Sequence, residues 1–298
     1  MYRTILVPLD GSALGEGALP TAVFLAQRMG ARVLLARVAG DDSPRAAHEA
    51  EHYLDGVRTR IADGAAVDLV VPHGTAARGI LDAVAAHDAG LVVMTTHGRT
   101  GLRRLVFGSV AEKILAASPV PVWLVPARGT AHPPLLASTA PEILTPLDGS
   151  PLAEAALQPA VALARALGGH LVLLRVVPPP PIVVDPSLAQ TLVPSEAETQ
   201  QGAETYLQSL APTIAAEGIP TRLVVRSGPL VQSILDEIWA SGAELLVMAT
   251  HGRSGLDRAL LGSVAVALVH SCAIPMVLTR PQNWRNAADD DPQLGSQT

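Results

Sequence analysis

A chain of 298 residues is long for one α/β domain and comfortable for two, so two hydrophobic cores are expected. Hydrophobic residues make up 49% of it, charged residues 16% and aromatic residues 3%; the cores must therefore be built from Val, Leu, Ile and Ala, a mixture that suits parallel strands covered by helices. The formal net charge of −6 excludes a basic field able to hold a nucleic-acid backbone, and the single cysteine, Cys272, excludes an intrachain disulfide and a cysteine-based zinc cluster.

The opening apolar stretch meets Pro8 and Asp10 at once and is too short for a signal peptide. No window reaches the roughly 18–20 apolar residues that a membrane helix needs. The expectation is a cytoplasmic chain without a nucleic-acid or membrane partner. Short apolar runs at 4–9, 33–38, 67–71, 91–94 and 120–125 read as strands, with helical patterns between them. Ser12 is placed to cap the first helix. Pro20 falls inside the helical pattern that follows, as Pro159 does later, and each is expected to kink its helix. Strands alternating with helices imply a parallel, right-handed, doubly wound sheet of Rossmann-like type, five strands to a unit.

The unit then recurs. Ile5-Leu6-Val7-Pro8-Leu9-Asp10-Gly11-Ser12 returns as Ile143-Leu144-Thr145-Pro146-Leu147-Asp148-Gly149-Ser150, an offset of 138 that also relates Glu16 to Glu154, Gly30 to Gly168 and Arg37 to Arg175. Ser150 is followed by Pro151, which costs nothing at a first helical position. Thr96-His97-Gly98-Arg99-Thr100-Gly101-Leu102 returns as Thr250-His251-Gly252-Arg253-Ser254-Gly255-Leu256 at an offset of 154, as do Gly108-Ser109-Val110-Ala111 in Gly262-Ser263-Val264-Ala265. The second copy has thus gained sixteen residues, assigned to a proline-rich insertion at 178–196. The expected organisation is a first domain at 1–127, a linker at 128–141, a second domain at 142–280 and a loose polar tail at 281–298. Two separate five-stranded sheets are preferred to one ten-stranded sheet, because the linker carries no strand or helix pattern.

Ligands of open α/β sheets bind beyond the carboxyl ends of the strands, where strand order reverses. Two features of each copy lie just after strands: the turn of Asp10 and Asp148, and the loops running from Gly98 to Ser109 and from Gly252 to Ser263. Gly98, Gly101 and Gly108 leave backbone N–H groups open to an oxyanion, and Ser109 begins a helix whose N-terminus favours phosphate. Neither copy has the Gly-x-x-x-x-Gly-Lys-Ser/Thr pattern of the P-loop.

The strand ending in Asp-Gly-Ser, the Thr-His-Gly-Arg-Thr/Ser-Gly-Leu run and the Gly-Ser-Val-Ala helix start, in order and twice, resemble the universal stress protein family. The resemblance implies a five-stranded α/β fold of adenine nucleotide alpha hydrolase-like type, dimerisation through the last strand, and in one branch ATP binding, with or without Mg. That branch resembles Gly-x2-Gly-x9-Gly-Ser, matched here at Gly98, Gly108 and Ser109, and at Gly252, Gly262 and Ser263. Its first glycine falls on Thr95 and Ala249, whose Cβ atoms would crowd a nucleotide, the β-branched Thr95 more than Ala249. The nucleotide-binding set implied is Asp10, Val38, Thr95, Gly98, Arg99, Gly101, Gly108, Ser109 and Val110 in the first copy. In the second it is Asp148, Val176, Ala249, Gly252, Arg253, Gly255, Gly262, Ser263 and Val264.

Plainer readings stand beside these. Asp10 and Asp148 serve equally as turn residues capping the next helix. His97 and His251 lack metal or catalytic companions and read as loop hydrogen-bonders; no catalytic or metal residue is assigned. Cys272 reads as core. The apolar last strands, 120–125 and 276–279, need a cover. Pairing within the chain or a second copy supplies one, and the resemblance favours a homodimer. Functionally, an ATP-binding regulatory module responding to stress leads over a slow ATP hydrolase on the same scaffold and over an interaction module without nucleotide.

Overall fold

The computed structural model describes residues 2–40, 43–61, 64–96, 108–126, 138–179, 196–251 and 261–280. The first half runs β1 (Thr4–Pro8), α1 (Ala13–Glu16), α2 (Leu19–Met29), β2 (Arg32–Ala36), α3 (Pro44–Ile61), β3 (Val67–Val70), α4 (Ala76–Ala86), β4 (Leu91–Thr95), α5 (Ser109–Ala117) and β5 (Val122–Val125). The second half repeats it as β6 (Glu142–Leu147), α6 (Pro151–Glu154), α7 (Leu157–Leu167), β7 (His170–Val177), α8 (Glu196–Ala215), β8 (Thr221–Ser227), α9 (Leu230–Ser241), β9 (Leu245–Ala249), α10 (Ser263–Ser271) and β10 (Met276–Thr279). Each half is a five-stranded parallel sheet, in the order β3-β2-β1-β4-β5 and β8-β7-β6-β9-β10. The order reverses between β1 and β4, and again between β6 and β9. Most of the proposed linker, the greater part of the 178–196 insertion and the tail fall outside the described residues.

The expected pair of separate sheets is corrected by the junction. β5 and β10 pair antiparallel, with Met276 opposite Leu124, Val277 opposite Trp123 and Leu278 opposite Val122, so one ten-stranded sheet runs through the chain. The linker needs no structure of its own for this, because each half ends on an apolar edge strand and the two edges satisfy one another's backbone groups. The edge that the resemblance reserved for a second chain is therefore taken within this chain. The remaining sheet edges are β3 and β8.

Alternation along the strands divides the core into two layers that both cross the junction. On one face Ile5, Val7, Val93, Trp123, Val247 and Val277 pack under α2, α3, α7 and α8. On the other, Leu6, Val92, Leu124, Leu246 and Leu278 pack under α4, α5, α9 and α10. Trp123, fully buried at the junction, is the largest side chain of the core.

The expected kinks at Pro20 and Pro159 do not occur. The helical pattern is divided instead: α1 ends at Glu16 and α2 starts at Leu19, leaving Pro20 in its first turn, and Pro159 occupies the first turn of α7. A first-turn N–H has no partner inside its helix, so its loss to proline costs little there.

Candidate functional site

β1 ends at Pro8 and the chain runs on through Leu9 and Asp10 to Gly11, which at φ 85° takes the left-handed turn that leads into α1. Asp10 Oδ1 accepts from the Ser12 N–H at 2.9 Å and from the Ser12 hydroxyl at 2.6 Å, while Ser12 Oγ accepts from the Gly15 N–H at 3.0 Å. Asp10 thus fixes the rotamer of the residue that caps α1. Asp148 and Ser150 reproduce this at 2.9 and 2.5 Å, with Ser150 capping α6 through Ala153 at 3.2 Å. The helix caps are thus Ser12 and Ser150, and the aspartates hold those serines in place rather than capping the helices themselves.

The helix starts across the cleft are different. α5 and α10 have Gly108 and Gly262 at their N-caps, without a side-chain cap, so their first N–H groups are left for another acceptor. Ser109 and Ser263 follow, both exposed. The two glycines differ in room. A Cβ on Gly108 would stand 3.8 Å from Thr96 O, but one on Gly262 would stand 2.9 Å from Thr250 O, inside van der Waals contact.

At the β1/β4 reversal these parts enclose a cleft of about 630 Å³, a size typical of small-molecule sites. Asp10, Val38, Thr95, Gly108, Ser109 and Val110 all border it. A second cleft of about 280 Å³, at the β6/β9 reversal, is bordered by Asp148, Val176, Ala249, Gly262, Ser263 and Val264. Gly98, Arg99 and Gly101, and their counterparts Gly252, Arg253 and Gly255, lie outside the described residues. The Thr95 side chain is turned toward α1: its Cγ2 stands 3.5 Å from where a Cβ on Gly17 would be.

Other bordering residues were not singled out as site residues by the sequence reading. Arg37 borders the first cleft with its guanidinium 4.5 Å over the Tyr53 ring, and Arg175 borders the second while donating to Leu147 O at 3.2 Å. The constant offset relates these two arginines but does not reveal that they reach the clefts. Glu49 and Ala76 reach the first cleft from α3 and α4, Pro178 and Leu230 the second from β7's end and α9. His251 is buried and pairs through Nδ1 with Thr250 Oγ1 at 3.1 Å, consistent with a loop-ordering histidine; His97 lies outside the described residues. Burial pushes the Cys272 thiol up, which disfavours the reactive thiolate. Among the described residues no group of acidic, His or Cys side chains is arranged to hold a metal ion, and no helix is long and apolar enough to cross a membrane.

The model of the universal stress protein family matches residues 1–126 and again 141–280. A universal stress protein of Mycobacterium tuberculosis is 31% identical over 203 residues, covering 65% of this chain and 63% of that protein, so the match spans somewhat under two thirds of the relative's length. One from Mycolicibacterium smegmatis is 29% identical over 246 residues, covering 78% of this chain and 77% of its own. Among solved structures, a universal stress protein from Archaeoglobus fulgidus superposes with a TM-score of 0.70 at 21% identity, over 94% of this chain and 99% of its own. One from Pseudomonas aeruginosa gives 0.69 at 19% identity, over 97% and 96%. At these identities the structures speak for the fold, and they do so for both halves together. With two matches of one family model falling on the two halves of the sheet, the chain belongs to the universal stress protein family, in its tandem two-domain form.

Proposed function

We propose that this chain is a regulatory module that binds an adenine nucleotide, ATP in the first instance, in the cleft at the strand-order reversal. The observation that carries the reading is the convergence in one cleft of Asp10, Val38, Thr95, Gly108, Ser109 and Val110, with the uncapped start of α5 at one end. Helix N-terminal N–H groups, an exposed serine hydroxyl and a glycine without a Cβ suit a phosphate. The cleft volume suits the rest of a nucleotide.

Binding is favoured over turnover by the state of the carboxylates. Asp10 Oδ1 and Asp148 Oδ1 each accept from both the N–H and the hydroxyl of Ser12 or Ser150, so each carboxylate is engaged in ordering a helix start rather than aimed at a water. The domain limits at 1–127 and 142–280 belong to the same proposal, as does the assignment of 128–141 as linker.

The test is direct titration of nucleotide-free protein with labelled ATP, competed by unlabelled ATP, GTP and inorganic phosphate. Saturable binding displaced by ATP and not by phosphate, with less than one turnover per site, is expected. Absence of binding contradicts the proposal, and sustained multiple turnover favours the hydrolase.

A further inference from the structure

We infer that the two clefts are not equivalent: the first accepts a whole nucleotide, and the second is closed by Leu230 and Pro178 at the end where the base would lie, so the chain carries one nucleotide. This rests on the nucleotide reading above and specifies which site it concerns.

The phosphate ends of the clefts are the same. Gly108-Ser109-Val110 and Gly262-Ser263-Val264 are identical in sequence and begin equivalent helices. A nucleotide anchored there must extend past Asp10 or Asp148 toward the end of β2 or β7 and the start of α4 or α9. The copies diverge along that path. Gly15 is replaced by Ala153, Gly40 by Pro178, and Ala76, the first residue of α4, by Leu230, the first residue of α9; all six border their clefts. Each exchange adds side-chain bulk to the second cleft.

Three further observations agree. The volumes are about 630 and 280 Å³, the second below the usual range for ligand sites. Val38 is partly exposed at the floor of the first cleft, whereas Val176 is 4% exposed in the second. The first cleft extends to Ala46, Glu49 and Ala50 of α3, while no described residue of α8 borders the second. The exchange of Thr95 for Ala249 does not reverse this. The Thr95 methyl faces Gly17, and in the second copy Ala155 stands in Gly17's place, so the volume lost at one position returns at the other.

Calorimetric titration of the full chain with Mg-ATP tests the inference on three proteins: wild type, the double variant Leu230→Ala with Pro178→Gly, and Ala76→Leu. Leu230 is 39% exposed, and Pro178 and Ala76 are exposed, so these changes leave the core intact. The expected stoichiometries are one in wild type and two in the double variant, and Ala76→Leu should bind at least tenfold more weakly than wild type. Two sites in wild type, one in the double variant, or unchanged affinity in Ala76→Leu overturns the inference while nucleotide binding stands. No binding to wild type overturns both.

Discussion

The Tyr53 hydroxyl donates to Glu16 Oε1 at 2.8 Å, joining α3 to the short helix that Asp10 and Ser12 begin. Tyr206 makes the same bond to Glu154 at 3.0 Å in the second half. Burial, then the bond to the carboxylate, pushes both phenol pKa values up. In the first half the clasp ties α3, which borders the cleft, to α1; in the second it ties α8 to α6. Replacing Tyr53 by Phe removes one hydrogen bond to a carboxylate, and a loss of about 1–2 kcal/mol is expected from denaturant midpoints, with Tyr206→Phe behaving alike.

Acid should loosen the first clasp. Burial raises the Glu16 pKa, but the hydrogen bonds from Tyr53 and Arg60 and the Arg60 charge outweigh it and hold the carboxyl below its ordinary value of 4.5. With the folded value depressed, Glu16 contributes stability in full above the unfolded value, and the contribution is lost as pH falls through the folded one. In Glu16→Gln the loss of stability on acidification below about pH 4.5 should be shallower than in wild type, as measured by urea unfolding across that range.

Trp123 should decide whether the halves act as one body. It is fully buried opposite Val277. Trp123→Ala is expected to cost about 3–5 kcal/mol. The first sign should be faster amide exchange in β5 and β10, while exchange in β1 and β6 stays slow.

The two N-cap glycines should respond differently. A Cβ on Gly108 meets Thr96 O at an ordinary 3.8 Å, so Gly108→Ala should stay within about 0.5 kcal/mol of wild type. On Gly262 the same atom comes within 2.9 Å of Thr250 O and must displace backbone, so Gly262→Ala should lose about 1–3 kcal/mol in thermal or urea unfolding.

Much of this was legible in the sequence because it is local or repeated. The runs that become β1 and β4, the cap at Ser12 and the glycine-serine start of α5 are set by neighbours in the chain. The β5–β10 pairing joins strands far apart in sequence, and no pattern in either one names its partner. The tyrosine clasps were hidden for another reason: Glu16 and Tyr53 are 37 residues apart, whereas Glu154 and Tyr206 are 52 apart, because the insertion falls between them. A single repeat offset cannot align both ends of that pair. Offset 154 does align Ala76 with Leu230, but only the fold shows that the position borders a cleft.

Thermal unfolding of nucleotide-free wild type and of Gly108→Glu, each with and without millimolar Mg-ATP, tests nucleotide binding in the cleft most directly. The glutamate would fill the phosphate end and oppose its charge. At about 100 times its dissociation constant ATP should add roughly 2.7 kcal/mol, raising the wild-type midpoint by several degrees. Gly108→Glu should show no such rise. An equal rise in both proteins would place the nucleotide elsewhere, and no rise in wild type would contradict nucleotide binding altogether.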